Sequence, residues 1–343
     1  MRFENVVIES IAYALPDNII TSDEIEQRLA PLYDKLKLPY GRLELMTGIK
    51  QRHHWPINML PSEASALAGK RVLENSQFKP TEIDLIIHCG VCRDRLEPAT
   101  AAYVHGLLGL SPNTQIMDVS NACLGFLNGM IVAAGMIQSN LIRSALVVSG
   151  ENGHSLLENT IQELLQKDLS RKAIKPYFAN LTIGSGATAA ILSHNKIVKE
   201  PKLRLHSAVI ETDSSANKLC EGGSTTEGLQ MQTDSEQLLE AGIAVASRAW
   251  SKFAQTSNWN NKDINRVICH QVGRQHQKRL FEALNLPLEK DFSTYETLGN
   301  IGSVSVPITL AKALEANQIS PNNKIALLGI GSGLCSIMMG LES

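Results

Sequence analysis

The feature that most constrains this chain is an order of apolar strands and amphipathic helices that occurs twice. Asp84–Gly90 (DLIIHCG) and Arg266–His270 (RVICH) are short, nearly unbroken apolar runs, the pattern of buried strands. They occupy matching places in the two halves, as do the helices that open at Cys123 and near Asn300. In the first half the pattern predicts further strands at Glu4–Tyr13, Gln115–Val119, Ala145–Gly150 and Gly186–Leu192. Helices are predicted at Ser62–Asn75, at Pro98–Leu110 with the proline in its first turn, and at Cys123–Gln138. The second half repeats the scheme, with strands at Leu203–Glu211, Ile325–Ile330 and Ser336–Leu341. Its helices are Ser235–Phe253, a segment ending at Leu284, and Gly302–Ala316. Such alternation implies α/β architecture, with mixed sheets covered by helices. Two such halves, 1–200 and 201–343, sharing a boundary give five layers, αβαβα. No obvious sequence identity accompanies the repeat. Residues 151–180 break the pattern as a polar, partly helical insertion: a lid, a channel wall or a dimer contact.

A chain of 343 residues is long enough for two domains or one large layered unit. Its net charge of −2 gives no indication of nucleic acid or an anionic membrane as partner. MRFENVVIES lacks the apolar core of a signal peptide, so a cytoplasmic protein is expected. The longest apolar stretch, Cys123–Ile137, contains Asn128 and is too short to span a bilayer. Six cysteines do not make a disulfide scaffold. Cys89 and Cys92 form a C-x-x-C pair with no second pair to complete a zinc site, and read as thiols at the end of a buried strand. Cys220, Cys269 and Cys335 read as small buried apolar residues.

Four segments carry candidate chemistry. In DVSNACLGF a short strand runs into an apolar helix, placing Cys123 near a helix N-terminus. Unpaired N–H groups there favour a thiolate and predict a lowered thiol pKa. The same segment also suits a buried structural cysteine. In RVICHQVGRQH, His270 ends a buried strand, where sites collect in α/β folds, and His276 is expected on the surface of the next helix. In ETLGNIGSVSVPITL, Asn300 lies among Gly299 and Gly302, which let backbone approach a ligand closely, or it is an ordinary N-cap. LLGIGSGLCS ends a strand in a glycine-rich turn, Gly329–Gly333, suited to aiming a backbone N–H at a reacting oxygen.

Cysteine, histidine, asparagine and glycine turn, in that order on a two-half α/β chain, resemble the thiolase-fold condensing enzymes of the β-ketoacyl-acyl-carrier-protein synthase III group. The resemblance runs along essentially the whole chain and includes TGIKQR at Thr47–Arg52. Within the group the chain is most similar to OleA-type enzymes, which condense two acyl-coenzyme A molecules head to head. The discriminating segment is CRDRLEPATA, where Glu97 matches a glutamate that crosses the dimer interface into the partner's active site. LAPLYDKLKLP also looks specific to that subfamily. The tryptophan and arginine that hold adenine just before TGI in acetyl-primed enzymes are replaced by Arg42 and Met46.

The resemblance implies a mechanism without cofactor or metal. Cys123 takes the first acyl group, with its own N–H and that of Ser332 as oxyanion hole. His270 and Asn300 stabilise the enolate of the second thioester, and Glu97 is the base. Substrate contacts are expected from Gly302, Gly331 and Arg42. A homodimer paired near Gln115–Val119 is implied, with acyl-coenzyme A, or acyl-carrier protein, delivering the acyl groups. Small residues in LGFLNGMIVAAGMI are candidates to line an acyl channel, or are plain core. The alternatives are a decarboxylative synthase III using malonyl-carrier protein, transfer to a heteroatom, or an inactive partner in a heterodimer.

Overall fold

Within Lys324–Gly331 successive residues face opposite cores: Ile325 and Leu327 enter one apolar cluster, Ala326 and Leu328 another. A strand buried on both faces requires this period of two. The computed structural model, which describes residues 1–225 and 228–343, is built on such strands. The first half supplies β1 (Val6–Ala14), the short pair β2 (Ile19–Thr21) and β3 (Gln51–His53), β4 (Leu85–Cys89), β5 (Gln115–Val119), β6 (Ser144–Glu151) and β7 (Gly186–His194). Its helices are α1 (Ser22–Arg28), α2 (Ala30–Leu36), α3 (Arg42–Thr47), α4 (Pro61–Glu74), α5 (Thr100–Leu108), α6 (Gly125–Gln138) and α7 (His154–Gln166). The second half supplies β8 (Leu203–Thr212), the hairpin β9 (Cys220–Thr225) and β10 (Gly228–Thr233), β11 (Arg266–Cys269), β12 (Lys324–Gly331) and β13 (Cys335–Glu342). With them come α8 (Ser235–Ser257), α9 (Arg274–Ala283), α10 (Tyr295–Leu298) and α11 (Ser305–Glu315).

Nine strands pair in the order β11-β12-β13-β8-β1-β7-β6-β4-β5. The link between halves is narrow, because β1 meets β8 only through Val7 with Arg204 and Ile8 with Leu203. Five strands lie on one side of that link and four on the other. The place that matches β5 in the second half holds a single bridge, Val267 with Asp291. Between the two parts sits one core in which α6 (Phe126, Met130, Ala134) and α11 (Val306, Leu310) pack against inward residues of both. α4 and α5 cover the outer face of the first part, and α8 and α9 that of the second. These are the five layers of a thiolase fold. The 151–180 segment is part of a separate cluster, in which Leu157, Ile161 and Leu164 of α7 pack with Ile25, Tyr33 and Leu43.

Two local expectations change. α5 starts at Thr100 and leaves Pro98 outside, after a cis Glu97–Pro98 bond. The start is fixed by Asp118 of β5, whose carboxylate accepts from Thr100 N at 2.7 Å and Ala101 N at 2.9 Å, an anion at a helix N-terminus. The small residues of α6 are core and not channel lining where they meet β4. A Cβ on Gly129 would lie 2.3 Å from Cys89 Sγ, and one on Gly125 would lie 2.6 Å from Gly90 N. Gly129→Ala is therefore expected to destabilise the protein by about 1–3 kcal/mol through overpacking. Adding Cys89→Ala should restore part of the loss, as read by equilibrium denaturation of the single and double variants.

Candidate active site

Strand ends define the site. β4 ends before Gly90, β5 leads to Cys123, β6 ends at Glu151, β11 is followed by His270, and β12 ends at Gly331. Carboxyl ends of strands are where α/β folds gather ligands. Contacts link these ends. Gly125 abuts Gly90, a Cβ on Gly331 would meet Leu124 Cγ at 3.0 Å, and one on Gly302 would meet Glu151 Cδ at 3.2 Å. His270 N donates to Leu328 O at 2.8 Å, which registers the histidine beside the strand that carries the glycine turn.

Cys123 follows Ala122, whose φ of 45° is the left-handed conformation a side chain adopts at a cost. Leu124 N donates to Asn121 O at 2.9 Å, and the Asn121 side chain donates to Asn128 Oδ1 at 2.7 Å, which closes this tight turn onto α6. The helix proper begins at Gly125, two residues past the cysteine. The expected lowering of the thiol pKa is not found. The residue keeps a little exposed surface, but its thiol lies deep, and burial pushes it up to about 12, with the Glu151 carboxylate and Cys220 adding to the rise. Desolvation outweighs a helix end that starts too late.

His270 is buried, at 9% exposure, and burial with the neighbouring His276 pushes its pKa down to about 3. The ring is therefore neutral over the working range, a hydrogen-bond donor and not an acid. Its Nδ1 has no polar partner among the described residues. His276 is not on the surface as expected. It is half-buried, lines a cavity with His270, Leu239, Ile243, Leu280 and Met338, and burial lowers its pKa to about 4. The lining comes from α8, α9, β12 and β13.

Asn300 is held by backbone on one side. Its N donates to Thr182 O at 3.0 Å and its O accepts from Gly184 N at 2.9 Å. Its Oδ1 accepts from Gly302 N at 3.1 Å, which leaves the Nδ2 hydrogens to point at a ligand. Arg52 of TGIKQR is fully buried beneath this loop, with its Cβ placed 3.3 Å from where a Cβ on Gly299 would be. Gln271 accepts from Thr294 N at 2.8 Å and Tyr295 N at 3.0 Å, tying the loop's approach to β11.

Ser332 is half-buried in the turn whose Gly331 packs on Leu124. The Arg42 guanidinium lies over the Phe178 ring at 5.7 Å. Glu97 is exposed and has no polar partner among the described residues, beside Leu96 at 85% exposure. Cys89 and Cys92 are free thiols with burial raising both pKa values, and no metal-binding cluster occurs among the described residues. Sequence reading missed Glu151, which it left at the start of an insertion. Its signal is a carboxylate continuing an apolar strand without a break (SALVVSGE).

With the thiol pKa so high, the thiolate fraction at neutral pH is small and grows as pH rises. Alkylation of Cys123 by iodoacetamide in the free protein should thus climb roughly tenfold per pH unit between about pH 7 and 9 without a plateau. Mass spectrometry of the Cys123 peptide measures it.

Comparison with known proteins agrees with this fold. Residues 117–214 match the family described as 3-oxoacyl-[acyl-carrier-protein] synthase III, and residues 254–341 match its C-terminal family. An acyl-CoA:acyl-CoA alkyltransferase of Shewanella oneidensis is 37% identical over 350 residues, covering 100% of both chains. One of Xanthomonas campestris is 35% identical over 98% of both. A β-ketoacyl-[acyl-carrier-protein] synthase III of Natranaerobius thermophilus is 25% identical over 96% of this chain and 97% of its own. Cerulenin-bound Xanthomonas campestris OleA superposes with a TM-score of 0.96 at 34% identity, over 100% of this chain and 98% of that one. Family matches in both halves, full-length relatives and a shared structure together show that the chain belongs to the 3-oxoacyl-[acyl-carrier-protein] synthase III family of thiolase-fold condensing enzymes, in its OleA-type branch.

Proposed function

We propose that this enzyme joins two acyl-coenzyme A molecules head to head by a Claisen condensation that needs no malonyl donor, and that it works as a cytoplasmic homodimer. The observation that carries the reading is the placement of Glu97. The loop from Gly90 leaves the Cys123 site, then projects Leu96 and Glu97 outward next to α5. β5 is an edge strand with Ile116 45% exposed. An exposed apolar edge favours pairing with another chain. β5 of a second copy would pair there, and Glu97 of each copy would enter the other's site. No helix is long and apolar enough to cross a membrane among the described residues.

The chemistry follows from the chain's own groups. The Cys123 sulfur attacks the thioester carbonyl, its proton leaves, and coenzyme A departs as the thiol. The N–H groups of Cys123 and Ser332 hold the oxyanion. Neutral His270 and Asn300 Nδ2 then hold the carbonyl oxygen of the second thioester. Glu97 of the partner subunit takes the α-proton. The enolate carbon attacks the acyl-Cys123 carbonyl, the sulfur leaves, and a β-ketoacyl thioester forms. Hydrolysis of that thioester gives the β-keto acid.

Incubation with myristoyl-coenzyme A alone should yield the β-keto acid or its decarboxylated ketone by mass spectrometry. Glu97→Ala should lower product by about a hundredfold or more, the range for loss of a general base, while acyl-Cys123 still forms. Product that appears only with malonyl-carrier protein would make the reaction decarboxylative.

A further inference from the structure

We propose that Glu151 is a positioning residue of the condensation: one buried carboxylate, gripped both by the loop that leads to Glu97 and by the loop that carries Asn300, fixes those loops relative to Cys123. Its Oε1 accepts from Val91 N at 3.0 Å, Ser303 N at 3.2 Å and Ser303 Oγ at 2.7 Å. Its Oε2 accepts from Cys92 N at 3.1 Å. The Ser303 hydroxyl also meets Ser149 Oγ at 2.7 Å. Space for the carboxylate comes from two glycines in left-handed conformations. A Cβ on Gly90 would stand 2.8 Å from Oε1, and one on Gly302 would stand 3.2 Å from Cδ.

Glu151 is 4% exposed and forms no ion pair among the described residues. A buried charge without a counter-ion persists only where donors converge on it, and four do. All four partners donate, so an acceptor-only group fits and an amide does not: Gln would turn an NH2 toward at least one of them. The carboxylate joins two strand ends and a loop: 90–92 after β4, the end of β6 itself, and 302–303 between Asn300 and α11. Any relaxation of it moves Asn300 Nδ2 and the root of the Glu97 loop together.

Its charge has a second consequence. The titratable groups facing Cys123 are Glu151 and Cys220, and those facing Glu151 are Cys123, Cys89, Cys92 and His88. None of these is a Lys or Arg. The carboxylate opposes a thiolate but not a neutral acyl-sulfur, so it favours the acylated over the ionised form of Cys123. Removing the charge lowers the thiol pKa.

The test uses Glu151→Gln and Glu151→Asp in the full chain, with folding checked by circular dichroism. For Glu151→Gln, the pH dependence of iodoacetamide alkylation at Cys123 should shift to lower pH, and amide exchange at Val91, Cys92 and Ser303 should quicken. With acyl-coenzyme A, acyl-Cys123 should still accumulate while condensed product falls about a hundredfold, the scale on which an ångström of misplacement acts. Glu151→Asp keeps the charge and shortens the reach, so it should keep the alkylation profile and still lose condensation. If Gln fails to fold, Asp carries the test. A wild-type alkylation profile in Gln, or a wild-type ratio of product to acyl-enzyme in either folded variant, overturns the proposal. The kinetic arm rests on the head-to-head reading. If the unaltered enzyme makes no product, that reading fails, and the alkylation and exchange arms still decide the role of Glu151.

Discussion

The close approach of α6 to the end of β4 is the constraint on which the rest depends. Gly125 and Gly129 remove the Cβ atoms that would strike Gly90 N and Cys89 Sγ. Without that approach the helix could not lie between the two parts of the sheet, and Leu124 and Leu127 could not meet Gly329 of β12. Packing at interior density transmits position. Cys123 is thus located by contacts on both sides of its helix, one from each half of the chain. Cys123 stands at the seam of the pseudo-repeat because the helix that its turn opens is part of the shared middle layer.

Burial decides the electrostatics of that seam. The thiol is pushed up, the imidazole is pushed down, and both stay neutral near pH 7. In the proposed mechanism, fixed neutral donors face oxygens whose charge appears only during reaction, which is where preorganised dipoles are most effective. Asn300 illustrates the method. Its Oδ1 is occupied by Gly302 N, so the amide cannot flip, and the donor end is the one left free.

Much of this was legible in the sequence because the strands obey simple rules. A strand buried on both faces must be apolar throughout, so DLIIHCG, RVICH and IALLGI announce themselves, and their ends locate His270 and the glycine turn. Segments stabilised by distant partners were not legible. The start of α5 depends on Asp118, which lies on another strand, so Pro98 was placed inside the helix. α1–α3 owe their burial to α7, across more than a hundred residues, and no local period reveals it. His276 carries the polarity of a surface helix, yet it lines a cavity whose other walls come from α8, β12 and β13. The thiol pKa was misjudged because the thiol is buried, because a carboxylate from β6 lies close by, and because the helix start, read at Cys123, falls at Gly125.

The two halves therefore divide the work unevenly. The first supplies Cys123, Glu97 and Glu151, and the second supplies His270, Asn300 and the glycine turn. A symmetric fold would leave these groups on separate pieces joined only by the short β1–β8 contact. Residues that cross the seam make up for it: Gly331 on Leu124, the Asn300 backbone on Thr182 and Gly184, and Ser303 on Glu151. Each crossing involves a glycine or a backbone group, since only these permit approach without an intervening side chain. Ser303 adds a side-chain bridge to its backbone one, donating to Glu151 from both N and Oγ. The catalytic geometry is thus stored in the contacts between halves, and not in either half alone.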